Sequence, residues 1–250
     1  MNKGYGKNTA VRTRIRAAGG AALGAVCCAA ALTACGGPPE EPRNRPAPAA
    51  APQPLSQTAL NARAFAPGEQ AGPYRTTEYT VSGSPPSDEY TAAPALCQPL
   101  VGLRSAEGGP HSQVHRRLAD PARPQGADVA VQLRSYRPGG AAGVMAALRT
   151  AGEKCKGGFT ENRGRAGAAP VAARYTAVEK LPAPAGTGDE AQAYRLAVRE
   201  VRGTGTAYEY LTVVRTGATT LSFRAETLGT ADLGGVPKEI VDAQWEKWAK

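Results

Sequence analysis

The apolar positions of this chain change their spacing from segment to segment, and that spacing outlines the elements. Val129, Val131 and Leu133 alternate with Ala130, Gln132 and Arg134, the period-two pattern of a strand with one buried face. Leu221, Phe223 and Ala225 alternate with Ser222, Arg224 and Glu226 in the same way across Thr219–Thr227. Strand signals also cover Tyr74–Val81, Val114–Leu118, Val171–Val178, Ala191–Val201 and Ala207–Arg215, and Thr216-Gly217-Ala218 predicts a hairpin turn between the last two strands. Helical spacing replaces alternation over Gly140–Lys154, where Val144, Leu148, Ala151 and Cys155 recur at intervals of 4, 3 and 4 and so share one face. Lys154 and Lys156 suit the C-terminus of that helix, and Gly157-Gly158 ends it. Leu55–Ala64 and Pro94–Leu103 predict shorter helices. Pro237–Ala249 predicts a last one, with Pro237 in its first turn and Val241, Trp245 and Trp248 on the face that meets the sheet.

Runs of consecutive strands imply antiparallel pairing. The expected class is α+β: an antiparallel β-sheet with helices packed on one face, and one disulfide.

The first fifty-four residues follow a different rule. Five positive charges and no acid precede Ala17–Ala31, fifteen uncharged residues. That run is short of the roughly 20 needed to span a bilayer but fits the apolar core of a signal peptide. It ends in Leu32-Thr33-Ala34-Cys35, a lipobox. The expected division is a signal peptide over 1–34, a lipidated Cys35 heading a Pro/Ala-rich linker over 35–54, and one extracellular domain over 55–250. An ordinary signal peptide with a chance cysteine, or an uncleaved anchor, is the alternative. Seven prolines among the nineteen residues of Gly36–Pro54 leave no apolar periodicity with which to fold. Extended chain of that composition reaches roughly 60 Å.

This partition changes the meaning of charge and cysteine content. The formal charge of +9 includes the five basic residues of the export segment; without them 25 basic residues face 21 acidic ones, a net +4. That surface is not a nucleic-acid footprint. Of five cysteines, Cys27 and Cys28 fall in the removed segment and Cys35 is acylated. Cys97 and Cys155 remain, outside the cytoplasm, where disulfides persist, and are expected to pair; two separate buried thiols are the alternative. The expected address is the extracytoplasmic face of the cell membrane, held by a diacylglyceryl anchor.

Several short motifs together resemble the actinobacterial PknH-like extracellular domain family. They are Ala95-Leu96-Cys97-Gln98-Pro99-Leu100; Ser135-Tyr136-Arg137-Pro138-Gly139-Gly140 leading to Cys155; Gly158-Phe159; Gly188-Asp189-Glu190-Ala191; Val213-Val214-Arg215-Thr216-Gly217; and the Pro237–Trp248 helix. They span about residues 60–250. The resemblance implies an α+β fold around a central antiparallel sheet, a cleft for an unidentified ligand, and a place either as the sensor of a membrane serine/threonine kinase or as a free-standing lipoprotein. The chain departs from the kinase sensor in having cysteines for one disulfide rather than two, and in lacking a kinase domain and a spanning helix.

Candidate chemistry is sparse. His111 and His115 stand four apart, but the neighbouring Gly108-Gly109-Pro110 and Val114 suggest loop running into strand, so a solvated pair is expected rather than half a zinc site. Neither Ser105 nor Ser112 sits in a nucleophile elbow, and no catalytic residue, metal or cofactor is expected. Asp189 reads as a turn residue bonding its own backbone. Gly186-Thr187-Gly188 and Gly203-Thr204-Gly205 fall in hairpin loops rather than between a strand and a helix. Tyr208 and Tyr210 share one strand face, with Tyr194 on the preceding strand. Core packing is one account of them. The other makes Tyr194, Arg195, Tyr208 and Tyr210 the wall of a ligand site, with Arg195 and Arg199 contacting an anion. Three functions compete, in descending order. The first is a non-enzymatic ligand-binding or sensor-like lipoprotein for a small molecule or cell-envelope component, the second a lipid or glycolipid carrier, and the third a secreted hydrolase.

Overall fold

A computed structural model of the chain describes residues 51–77, 89–102, 109–123, 126–164, 171–199, 205–227 and 229–250. The export segment, Cys27, Cys28, Cys35, most of the linker, Ser105 and Gly203-Thr204 lie outside the described residues.

Four α-helices and ten strands are described. Helix α1 (Gln57–Arg63) starts at Ser56, whose hydroxyl accepts from the Ala59 amide at 3.2 Å and satisfies one of the orphan N–H groups of the first turn. A single 3-10 turn (Ala95–Cys97) runs into the short α2 (Gln98–Gly102). Helix α3 occupies Gly140–Lys154 as the spacing predicts, with Ala141, Val144, Met145, Leu148, Ala151 and Gly152 buried. Helix α4 (Lys238–Ala249) begins after Pro237 rather than at it; Glu239 in its first turn and Lys247 in its last complement the helix dipole.

The strands are β1 (Gln70–Ala71), β2 (Tyr74–Thr77), β3 (Glu89–Ala93), β4 (Ser112–Ala119), β5 (Ala127–Ser135), β6 (Phe159–Gly164), β7 (Val171–Leu181), β8 (Glu190–Arg199), β9 (Thr206–Thr216) and β10 (Thr219–Thr227). They form one sheet in the order β1-β2-β4-β5-β10-β9-β8-β7-β6-β3, and every pairing is antiparallel. Strands β1, β3 and β6 are not evident in the apolar pattern. In β6 the inward positions hold Phe159 and then an acid, Glu161, so the alternation that marks a strand is missing.

The register corrects the expectation of helices on one face. Successive strand residues point to opposite faces. Along β9, Leu211 and Val213 belong to one apolar core, whereas Tyr210 and Val214 belong to another. The first core lies under α2 and α3, over β6 to β9; the second lies under α1 and α4, over β4, β5, β9 and β10. The helices therefore cover opposite faces of the two halves. Each half keeps one face free for polar residues, such as Gln113, His115, Gln132 and Ser222 on the α3 side of β4, β5 and β10.

Cys97 and Cys155 form a disulfide with their Cα atoms 6.0 Å apart. Cys155 caps the C-terminus of α3 and turns inward with the Val144, Leu148 and Ala151 face, so the bond ties the turn before α2 to the end of α3.

Candidate functional site

The four residues proposed as a ligand wall separate. Tyr194 pairs with Leu211 and points into the core beneath α3. Its hydroxyl lies 3.2 Å from Gln192 Oε1 and 3.4 Å from the Leu148 carbonyl, and burial pushes it up to about 12. Only a glycine fits above it: a Cβ on Gly152 would stand 2.3 Å from Tyr194 Cε1. Gly152→Ala is therefore expected to lower stability by about 1–3 kcal/mol, an overpacking cost read as a fall in the thermal midpoint.

Arg195, Tyr208 and Tyr210 occupy the opposite face. Arg195 stacks its guanidinium 5.2 Å above the Tyr208 ring. Its Nε reaches Glu179 Oε2 at 3.1 Å, and another nitrogen meets Asp232. Two carboxylates thus surround one cation, which leaves little unspent charge for an anionic ligand. Tyr210 is fully buried; its hydroxyl donates to Asp232 and accepts from the Leu233 amide at 2.9 Å. Burial and that bond push Tyr210 up to about 12, and the same bond, with the Gly234 amide at 2.8 Å, holds Asp232 below the usual carboxylate range. The arrangement fastens the segment before α4 to the sheet. Tyr208 and Arg195 alone of the four reach solvent in part. Nothing in the sequence marks Asp232 as their partner.

A second polar cluster, also unmarked, is buried on the α2/α3 side. The Tyr175 hydroxyl lies 3.0 Å from Glu161 Oε2 and 2.9 Å from Glu209 Oε2, and Phe159 stacks on its ring at 4.4 Å. Arg224 donates to Glu209 Oε2 at 2.7 Å and to the Leu100 carbonyl at the end of α2. Burial raises the Tyr175 hydroxyl strongly and raises Glu209, although Arg224 opposes the latter shift. The available signal was Glu209 itself: an acid between Tyr208 and Tyr210 must face the side opposite to them.

The histidines do not cooperate. Four residues of extended chain separate His111 from His115 by about 13 Å, and no group of three or more metal-binding side chains occurs among the described residues. His115 lies on β4, and burial, with Arg134 and Arg116 nearby, pushes it down to about 4. A depressed imidazole binds fewer protons in the folded chain than in the unfolded one. Its contribution is complete above about pH 6.5 and is lost as pH falls toward 4. His115→Gln is expected to flatten the acid side of the stability profile in that window by at most about 3 kcal/mol, measured by urea melts across pH.

Asp189 does more than close its own turn. It accepts from the Gly217 amide at 2.7 Å and from Arg215 at 2.9 Å, joining the β7–β8 and β9–β10 hairpins. Glu190 meets Arg149 of α3. Where the chain enters the body, the Leu55 amide donates to Ser135 Oγ at 2.8 Å and Ser112 Oγ donates to the Leu55 carbonyl at 2.7 Å. A shallow open groove lies between α1, β1 and α4, bordered by Arg63, Glu69, Glu246 and Lys247.

No family profile and no curated protein matches the sequence. Among solved structures, the chain is similar to the extracellular domain of PknH from Mycobacterium tuberculosis, with a TM-score of 0.49 and 12% identity over 79% of this chain and 96% of that one. It is also similar to a putative uncharacterized protein (Rv0999 ortholog) from Mycobacterium smegmatis, with a TM-score of 0.34 and 15% identity over 74% of this chain and 88% of that one.

Proposed function

We propose that the chain is an exported lipoprotein, held by Cys35 on the extracytoplasmic face of the cell membrane. Its body, from residue 55 onward, is a non-enzymatic, sensor-like binding domain for a small molecule or a component of the cell envelope. The observation that carries this reading is the Cys97–Cys155 disulfide. Structural disulfides persist outside the cytoplasm. This one uses both cysteines that remain once Cys27 and Cys28 are removed and Cys35 is acylated, so the cysteine count closes without a stray thiol. The lipobox and the basic, then apolar, export segment give the same address independently. A binding role fits better than a carrier role because the large apolar side chains of both cores, Leu148, Leu196, Leu133 and Phe223 among them, are enclosed by sheet–helix packing. Tyr208 and Arg195, on the open sheet face, are the residues of the proposed wall that a ligand can reach.

Metabolic labelling with a palmitate analogue tests the anchoring. The wild-type chain is expected to incorporate label and to sediment with membranes. Cys35→Ala is expected to lose the label entirely, and globomycin is expected to leave the export segment attached. Equal labelling of wild type and Cys35→Ala would overturn the proposal.

A further inference from the structure

The ten-stranded sheet does not close on itself, so it has two edges. At one, β3 pairs with β6 along a single side. At the other, β1 is two residues long, and β2 pairs with β4 only at Arg117, Leu118 and Ala119. Residues 112–116 of β4 therefore overhang β2. An edge with unpaired main-chain groups is a template on which another strand can add.

Side chains occupy both edges. On β3, the Ala92 N–H donates to Gln98 Oε1 at 2.7 Å, and Gln98 Nε2 donates to the Tyr90 carbonyl at 2.8 Å. Main-chain groups of alternate strand residues point to opposite sides, so these two are the ones turned away from β6. One residue of a neighbouring parallel strand would make the same two bonds, and the glutamine amide takes the place of its peptide groups. On β4, Gln57 Nε2 donates to the Gln113 carbonyl at 2.9 Å, and the Gln113 N–H donates to Gln57 Oε1 at 3.3 Å. That is the exchange made between directly opposed residues of an antiparallel pair. The next outward carbonyl, of His115, accepts from Arg116 Nη1 at 2.9 Å, and the Arg117 carbonyl accepts from Thr77 Oγ1 at 3.3 Å, where β2 takes over. Each glutamine is held in place by its neighbours. Gln98 stands between Cys97, bonded to Cys155, and the buried Pro99 and Leu100; Gln57 opens α1 directly after the Ser56 cap.

We infer that Gln98 and Gln57 close the two edges of the sheet by standing in for missing strand residues, and that this closure stops a second copy of the chain from adding its own edge strand. The β3 edge depends on it most. Tyr90-Thr91-Ala92-Ala93 carries neither the charges nor the proline that commonly protect an edge, and Thr91 and Ala93 are exposed. The amide of Gln98 supplies the protection there by engaging the Tyr90 carbonyl and the Ala92 N–H, the groups that an incoming strand needs. The inference is independent of the binding role proposed above.

The test uses the full chain in excess non-ionic detergent, sized by light scattering across a dilution series, with hydrogen exchange read at the Ala92 and Gln113 amides. The wild type is expected to stay monomeric with both amides protected. Gln98→Met keeps the length of the side chain and removes both bonds; Gln98→Asn keeps the amide but falls one methylene short. Each is expected to speed exchange at Ala92 by about tenfold in dilute solution. Each should also dimerise as concentration rises, with protection of Ala92 returning in step with the dimer. Gln57→Met is expected to speed exchange at Gln113 in the same way. Gly152→Ala, which disturbs the core under α3 and leaves the edges intact, should remain monomeric, and so separates an opened edge from general instability. An unprotected Ala92 amide in the wild type would overturn the inference without any variant having to fold. Folded Gln98→Met and Gln98→Asn chains that stay monomeric, a dimer in which Ala92 remains unprotected, or equal dimerisation of Gly152→Ala would overturn it too.

Discussion

Replacing Cys97 and Cys155 together by serine is expected to lower the stability of the folded body by about 4 kcal/mol. The two residues are 58 apart in sequence, and closing a loop of that length removes about this much free energy's worth of disorder from the unfolded chain. Single domains are commonly stable by only about 5–15 kcal/mol, so the loss is a large part of the total. Urea unfolding of the wild type with and without a phosphine reductant, beside the double serine variant, is the measurement. Reduced wild type and the variant should unfold at the same, lower, urea concentration. Coincident midpoints with and without reductant would mean that the bond contributes nothing.

Arg224→Leu is expected to cost about 3–5 kcal/mol. It takes the cation from Glu209, whose side chain is only 8% exposed, and removes the donor to the Leu100 carbonyl. The sign of the pH dependence follows. Burial already raises the Glu209 carboxyl, and losing Arg224 raises it further. A raised carboxyl favours the folded state below its unfolded pKa, and that advantage is lost as pH rises through the folded value. The deficit of the variant should therefore be greatest near neutral pH and should shrink toward pH 4. Arg224→Leu/Glu209→Leu should recover much of the loss, since an apolar pair can replace a buried ion pair at little cost. A deficit independent of pH and unrelieved by the second substitution would show that Arg224 acts through packing rather than charge.

The elements that the sequence announced are those whose buried positions are apolar. Helix α3 shows this best, because Val144, Leu148, Ala151 and Cys155 keep a helical period from end to end, and strand β10 matches its predicted bounds for the analogous reason. Strand β6 stayed hidden because its inward Glu161 is stabilised by long-range partners that no local window contains. The placement of helices on both faces was hidden too. Strand β9 carries apolar residues on both sides, and the cross-strand register assigns Leu211 and Tyr210 to different cores. Of the candidate wall, period two correctly joined Tyr208 to Tyr210. Tyr194 was placed by residue type, and its register with Leu211 turns it to the other face.

Acylation of Cys35 and the bond between Cys97 and Cys155 are both read from the intact mass of the protein extracted from membranes of its own host. The expected species starts at Cys35, carries diacylglycerol on that residue, and gains two hydrogens on reduction. A chain that begins at Met1, or anywhere other than a lipidated Cys35, or one recovered with the thiols of Cys97 and Cys155 free, would be the opposite result.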